Sequence, residues 1–398
     1  MKPVLFVTGH APRDRVGAFA RLHELENVEF ALFGGPSKHG VEAPPGEPAG
    51  GFPGAGGFPG AGEFPEAGEF PFPHRRIRQH EPLRLAASGR YRAVVCSSGG
   101  RVALGATWAG ARRGGLPLIL WSALWAHPRS PLHALSFVAL RRLYRSADAV
   151  VTYGPHVSAY VRARGARNVY VAPQAVDNSF WSAPSVGPPR WPVSAVPIAD
   201  RQACPGGAAT KFLFVGRPGR EKGLGVLTEA WHTAGLPAPP AALVLVGAGP
   251  NPPWVPADGA AGDLEDGILR IGPVAPEELR GLYGACDVLV VPSIATPTFR
   301  EPWGLVVNEA MNRGLAVIAS DAVGAVAGGL VCDGRNGLVV PAGDSDALAG
   351  AIRRLAGEQG LRARLGEAGA QDVRSYTYEA WAEGFSGALA GVGCSRRR

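Results

Sequence analysis

Short apolar runs alternate along the chain with longer stretches in which apolar residues recur every three to four positions. Continuous apolar runs of four to eight residues suit strands buried on both faces, and the longer period suits helices packed on them. In the first half the pattern predicts strands at "VLFVTG", "VEFALFG", "YRAVVCSS", "PLILWSAL", "DAVVTYG" and "NVYVAPQ", with helices over "PLHALSFVALRRLYRSA" and "PHVSAYVRARG". It restarts later with strands at "KFLFVGR", "AALVLVG", "GILRIGPV", "DVLVVPS", "LAVIAS" and "NGLVVPAG". Helices are expected there over "GLGVLTEAWHTAG", "PEELRGLYGA", "GLVVNEAMNRG" and "SDALAGAIRRLAG". Such β/α alternation predicts an α/β protein with parallel sheets.

Two interruptions divide the pattern. Residues 178–210 are rich in Pro, Ser and Gly without periodicity and are expected to link two Rossmann-like domains, 1–177 and 211–377, facing each other across a cleft. A C-terminal segment, 378–398, contains a helical "YTYEAWAEGFSGALAG" expected to pack back toward the first domain, followed by a basic tail. Within the first domain, residues 44–73 carry Phe52, Phe58, Phe64 and Phe70 at a period of six, each followed by proline. So few Gly- and Pro-laden copies cannot stack a core of their own, and a flexible surface loop is expected.

Composition narrows the function classes. The chain has 398 residues, 46% hydrophobic and 18% charged, enough for two cores and incompatible with wholesale disorder. Its formal charge of +7 is carried almost entirely by arginine, the lysines being Lys2, Lys38, Lys211 and Lys222. Coding bias toward arginine accounts for most of this, and attraction to anions is the functional reading. Nucleic acid is not expected as a partner, because no basic run interleaved with aromatics appears. Five cysteines without C-x-x-C spacing suggest reduced thiols in a cytoplasmic protein. The apolar run after Lys2 is too short for a signal peptide, and no stretch reaches the roughly 18 apolar residues of a membrane span.

Two strand-to-helix junctions carry the candidate chemistry. "FVGRPGREKG" follows one strand and offers Gly216 for close approach, Arg217 for a bidentate fork and Lys222 as a point charge, a set suited to a diphosphate. "FREPWGLVVNEAMNRG" follows another, and there a helix beginning near Gly304 would aim the amides of Gly304 and Leu305 at a phosphate. Glu301 and Glu309, with seven residues between them, could each accept paired hydroxyl hydrogen bonds. The first junction alone is equally a surface loop with scattered cations; at the second, Glu301 could simply favour a helix N-terminus, but a merely solvated Glu309 is harder to defend beside Val306, Val307 and Met311. "VGAGP" has Pro252 where a dinucleotide fingerprint needs glycine, and "DSD" at 344–346 suits a helix N-cap, so neither an NAD cofactor nor a metal is expected.

Taken together, "FVGR" with "EKG", "IGPV", "DVLVVPS", the E-x7-E pair in "EPWGLVVNEAM" and "NGLVVPAGDSDALA" resemble retaining glycosyltransferases of the GT-B fold, the glycosyl transferases group 1 or family four. They occur in the family's order over residues 211–357. The resemblance implies that Arg217 and Lys222 hold the diphosphate of a UDP, dTDP or GDP sugar, with Gly304 and Leu305 adding backbone contacts. It implies Glu309 at the ribose, Glu301 toward the transferred sugar and Val274 bordering the base. On the acceptor side, His127 lies a few residues later than the family's sugar-contacting histidine, leaving Ser122 and Ala123 as alternatives for that position. His10 is a further acceptor-side candidate, and "SDAVGAVAGGLV" lacks the acidic residue that often follows the family's glycine pair. Peripheral members of the family use basic helices to sit on anionic membranes. Arg141, Arg142 and Arg145 fit that use, though a solvated basic face is the simpler account. The activity expected is transfer of a sugar to a hydroxyl acceptor without metal or cofactor. A nucleotide-sugar epimerase of the same fold and a non-catalytic nucleotide-sugar-binding partner are the alternatives.

Overall fold

A computed structural model describes residues 1–34, 70–129, 131–184, 210–236, 241–247 and 267–396. Two parallel sheets organise them. The first runs β3-β2-β1-β4-β5-β6-β7, with β1 (Val4–Thr8), β2 (Val28–Leu32), β3 (His74–Arg76), β4 (Ala93–Ser97), β5 (Leu118–Ser122), β6 (Ala149–Thr152) and β7 (Val169–Val171). The second runs β10-β9-β8-β11-β12-β13, with β8 (Thr210–Val215), β9 (Ala241–Val246), β10 (Ile268–Ile271), β11 (Val288–Val291), β12 (Ala316–Ser320) and β13 (Gly337–Val340). Every residue of β1, β5, β6, β11 and β12 is buried, as continuous apolar runs between two helical layers require.

The crossovers are helical. In the first half they are α1 (Arg13–Glu26), α2 (Pro82–Ala86), α3 (Arg101–Gly114), α4 (Pro131–Ser146), α5 (Pro155–Arg162) and α6 (Asn178–Ser182). In the second half they are α7 (Leu224–Ala234), α8 (Pro276–Ala285), α9 (Val306–Asn312), α10 (Gly324–Ala327), α11 (Ser345–Gly357), α12 (Gln359–Asp372) and α13 (Tyr378–Gly391). Asp344 caps α11 by accepting from the Ala347 amide at 2.8 Å, so this acidic pair serves the helix end. Strand order reverses once in each sheet, at β1/β4 and at β8/β11. Crevices in doubly wound sheets open at such reversals, beyond the carboxyl ends of the strands.

The last helix belongs to the first sheet's core. Trp381, Phe385 and Leu389 of α13 are buried among Phe6, Phe19 and Trp121, with Trp381 and Trp121 rings 5.7 Å apart and Phe385 and Phe6 rings 5.4 Å apart. Thr377 caps α13 through the Ala380 amide. Beyond it, Glu26 is buried in an ion pair with Arg92 at 2.8 Å, and both bind the end of the chain: Arg92 Nε donates to Cys394 O and Ser395 Oγ donates to Glu26 Oε1.

Two sequence expectations need correction at their edges. Phe70 and Phe72, assigned to the surface loop, are structured: Phe70 stacks on Phe72 at 5.2 Å, and Phe72 is buried against Phe19 and Phe30. They lead into β3, whose "HRR" has no apolar signature and was not expected. The rest of the repeat lies outside the described residues. Residues 178–182, assigned to the linker, form α6, capped by Asp177, with Trp181 buried in the second sheet's core against Tyr283. Local composition masked this, because a single buried tryptophan anchors the turn. The remainder of the linker, from residue 185, lies outside the described residues.

Trp381→Ala should destabilise the protein by about 3–5 kcal/mol, the usual cost of truncating a fully buried tryptophan. A lowered urea midpoint followed by tryptophan fluorescence and circular dichroism checks it; an unchanged midpoint would contradict the role of α13 in the first core.

Candidate functional site

β8 and β11 are neighbours at the reversal of the second sheet, with Val288 opposite Phe212 and Leu289 opposite Leu213. The loops leaving their carboxyl ends therefore converge. After β8, Gly216 donates its amide to Val246 O, and the chain then forms a 3-10 turn at Arg220–Lys222. This turn closes against β11's exit: Ile294 N donates to Glu221 O at 2.9 Å, and a side chain on Gly223 would collide with the Pro292 carbonyl. Gly223 also has φ +71°, a conformation glycine adopts without strain.

The two junctions meet through charge. Lys222 Nζ lies 2.5 Å from Glu301 Oε2, with both side chains largely removed from solvent, and Arg217 pairs with Glu221 at 2.6 Å. Lys222 and Glu301 are 79 positions apart in sequence, which gives no local hint of this contact. Glu301 is held from its backbone by a parallel bridge to Val323. Gly304, at φ +91°, turns the chain into α9, which has only seven residues and begins at Val306 with Leu305 as its cap. The amides of Gly304 and Leu305 precede the helix and donate to no backbone carbonyl among the described residues. Those two amides, more than the dipole of so short a helix, are what this junction offers an anion.

Glu309 sits within α9, only 8% exposed, and accepts a 2.8 Å hydrogen bond from the Tyr283 hydroxyl of α8. Burial pushes its carboxyl up to about 7; the Tyr283 hydrogen bond opposes the shift, and the charge of Asp14 on the first domain adds to it. Asn308 beside it is fully buried and spans the domains: its Oδ1 accepts from Trp303 Nε1 at 2.8 Å and its Nδ2 donates to Gln174 O at 3.0 Å. Val274 packs on the same core as Trp303 and Leu305, near the exit of β10.

The first domain faces this loop with a different set. Trp125 Nε1 donates to Glu301 O at 3.0 Å, His156 Nε2 donates to Pro302 O at 3.2 Å, and Arg129 N donates to Pro297 O at 2.6 Å. His127 belongs to this set rather than to the charged junction; it lies beside Tyr160, with Nδ1 3.3 Å from the phenol oxygen. Ser122 is fully buried and bonded to the Tyr144 hydroxyl at 2.8 Å, which removes it as an alternative to His127. His10 is exposed at the end of β1, close enough for its charge to bear on Asp14. On the same face, Arg15 is 7% exposed, bonded to the side-chain oxygen of Gln174 and within 5.9 Å of the Trp121 and Tyr153 ring centres. Tyr283, Asn308, Trp125 and Arg15 escaped the sequence reading, since each acts through a partner distant in sequence. Of the four, Trp125 lies in "WSALWAH", the segment that carries the candidate His127.

A carboxyl with a folded pKa near 7 and an ordinary value of 4.5 binds a proton in the folded state that the unfolded chain has released. Glu309 should therefore favour folding below pH 4.5 relative to higher pH. Stability should fall between pH 4.5 and 7 by roughly 3 kcal/mol before levelling off. Urea titrations at pH 5 and pH 8 on the wild type and Glu309→Gln test this: the variant should lose that part of the slope, and an identical slope in both proteins would refute the assignment.

With this geometry in place, comparison with known proteins is informative. Residues 209–358 match the family model of glycosyl transferases group 1. The D-inositol 3-phosphate glycosyltransferase of Stackebrandtia nassauensis is 34% identical over 160 residues, 38% of this chain and 34% of that protein. The alpha-maltose-1-phosphate synthase of Mycolicibacterium smegmatis is 29% identical over 213 residues, 50% of this chain and 51% of that protein. The chain thus spans about a third to a half of the length of the curated relatives it matches. Among solved structures, Anabaena HepE in complex with UDP and glucose superposes with a TM-score of 0.66 at 18% identity, covering 98% of this chain and 100% of that one. Sucrose-phosphate synthase from Thermosynechococcus elongatus gives 0.64 at 20%, covering 99% of each. At these identities the structures speak to the fold, and the fold they share is GT-B. Residues 209–358, most of the second domain, thus resemble glycosyl transferases group 1, and the two-domain architecture around them is the GT-B fold.

Proposed function

We propose that the chain is a glycosyltransferase that moves a sugar from a nucleoside diphosphate to a hydroxyl acceptor with retention at the anomeric carbon. The observation that carries this reading is the convergence of Lys222 and Glu301, 2.5 Å apart, at the β8/β11 reversal of the sheet. A paired lysine, an arginine and two loop amides at one crevice suit a diphosphate leaving group, and a carboxylate touching the lysine suits the sugar attached to it.

In this reading Lys222 and Arg217 bind the diphosphate, with Gly216 allowing close approach and the amides of Gly304 and Leu305 completing the cradle. Glu309 accepts hydrogen bonds from the ribose diol, Val274 borders the base, and Glu301 faces the transferred sugar. As the bond from anomeric carbon to phosphate oxygen breaks, negative charge collects on the phosphate while the sugar becomes cationic. Fixed cations stabilise the first, and the Glu301 carboxylate favours the second. The acceptor oxygen bonds to the same face of that carbon, and its proton passes to a phosphate oxygen. No protein base is required, and neither is a metal, since Lys222, Arg217 and the amides take over charge neutralisation. His127 approaches the acceptor from the first domain. UDP, dTDP and GDP sugars are the donor candidates.

Lys222→Ala should lower kcat/KM for transfer by about 100-fold or more, the scale expected for loss of a preorganised charge at a leaving group. Glu309→Gln should act mainly through donor affinity. Transfer measured with a panel of nucleotide sugars, with circular dichroism to confirm folding, tests both; wild-type rates in both variants would defeat the reading. Consumption of donor without any acceptor, with the sugar inverted at one ring carbon by NMR, would favour an epimerase instead.

A further inference from the structure

On the first domain, beside the loop that carries Glu301, lies a cavity of about 510 Å³ bounded by Trp125, His127, Arg129, Tyr160 and Arg164. Its volume falls within the range of small-molecule sites, and two aromatic walls suit the apolar face of a sugar ring. Its charge differs from that of the crevice. Arg217 and Lys222 each hold a carboxylate, whereas among the described residues Arg129 and Arg164 pair with none and no Asp or Glu lines the cavity.

Arg164 is placed with care. Its guanidinium carbon lies 3.4 Å from the centre of the Tyr160 ring, and one terminal nitrogen donates to Tyr160 O at 2.9 Å. Stacking and a backbone hydrogen bond fix the orientation of a side chain that is otherwise long and mobile. Arg129 is anchored by its own amide on Pro297 O, across the domain gap. Two arginines held on one concave surface without a counter-charge are complementary to an anion, and guanidinium recognises phosphate and carboxylate through paired hydrogen bonds.

We propose that this cavity is an acceptor subsite for an anionic group, a phosphate monoester or a uronic carboxylate, gripped by Arg129 and Arg164. The identification of the ligand as acceptor rests on the transferase reading above; the anion selectivity rests on the cavity alone. Trp125 gives the direction. It walls the cavity and donates to Glu301 O, so an acceptor held by its charged group lies alongside the residue facing the transferred sugar. The cavity has room for one charged sugar unit, so the protein selects a charged unit at this point of its acceptor.

Calorimetric titration of the full chain tests this, with whichever of UDP, dTDP and GDP binds most tightly present at saturation so that a phosphate ester is not simply captured by Lys222 and Arg217. Glucose 1-phosphate, glucuronate and neutral glucose are the probes. At least one anion should bind, glucose should not, and preference between the two anions identifies the ester or the carboxylate as the recognised group. Arg164→Ala and Arg129→Ala should each weaken the anion by tenfold or more while leaving affinity for that nucleoside diphosphate unchanged. Arg129→Ala, at an exposed position, covers the case in which Arg164→Ala fails to fold. Glucose binding as tightly as its anionic counterparts, no anion binding, or wild-type anion affinity in the variants would overturn the proposal. Failure of the wild type to bind any of UDP, dTDP and GDP would instead defeat the donor-site reading, independently of the anion result.

Discussion

Asn308 is the side chain on which the arrangement of the crevice depends. It is fully buried where the domains meet, and both polar ends are used: the carbonyl by Trp303, the amide by Gln174 of the first domain. A buried polar group left without a partner costs about 1–3 kcal/mol, so an asparagine here is tolerated only with both partners in register. That requirement fixes α9 against the first domain and the Trp303 loop against α9. Glu309, one residue on, and Glu301, two residues before Trp303, are positioned by the same constraint. The backbone oxygen of Asn308 also accepts from Asn312, extending the polar chain along the helix.

Charge in the crevice follows a complementary rule. Taking a lysine and a glutamate out of water is costly, and their attraction offsets this only when geometry is good and other polar groups are satisfied. Lys222 and Glu301 meet at hydrogen-bond distance on two independently anchored loops, one held by Gly223 against Pro292 and the other by the bridge to Val323. The pair is therefore preorganised rather than assembled from flexible chains. Glu309 takes the opposite course. With the Tyr283 hydroxyl as its donor and no cation paired to it among the described residues, it is about half protonated near pH 7, and a polyhydroxyl partner would supply the further donors that favour its charged form.

The fold was legible because parallel strands buried on both faces write themselves as unbroken apolar runs, and "VLFVT" or "AVIAS" admits few other readings. β3 was illegible because an edge strand of His and Arg gains its place from backbone pairing with β2 rather than from burial. α1 and α12 were not singled out either: "RDRVGAFARLHELE" and "QGLRARLGEAGAQD" are broken by glycine and charge, and only tertiary packing shows which face is inward. At the site, glycines, cations and carboxylates at strand exits could be named from local spacing. Their partners could not, since Tyr283, Gln174 and Trp125 are chosen by how two sheets face each other. The linker illustrates the same limit on a smaller scale, where composition outweighed one buried tryptophan.

The loop from Pro297 to Trp303 makes the two sides of the crevice inseparable. Three of its carbonyls, at Pro297, Glu301 and Pro302, accept hydrogen bonds from Arg129, Trp125 and His156 of the first domain, while the Glu301 side chain reaches back to Lys222. A shift of the loop toward the second domain would deprive those donors of their acceptors, and a shift toward the first would separate Glu301 from Lys222. Burial of His156 lowers its affinity for a proton, so it is the neutral ring that donates to Pro302 near neutral pH, and the clasp does not depend on charge. If the second domain holds a donor and the first an acceptor, neither can be seated without fixing the wall of the other. The distance between the two reactants is then set by this one segment of backbone, and a transferase needs that distance fixed more than it needs any single charged residue.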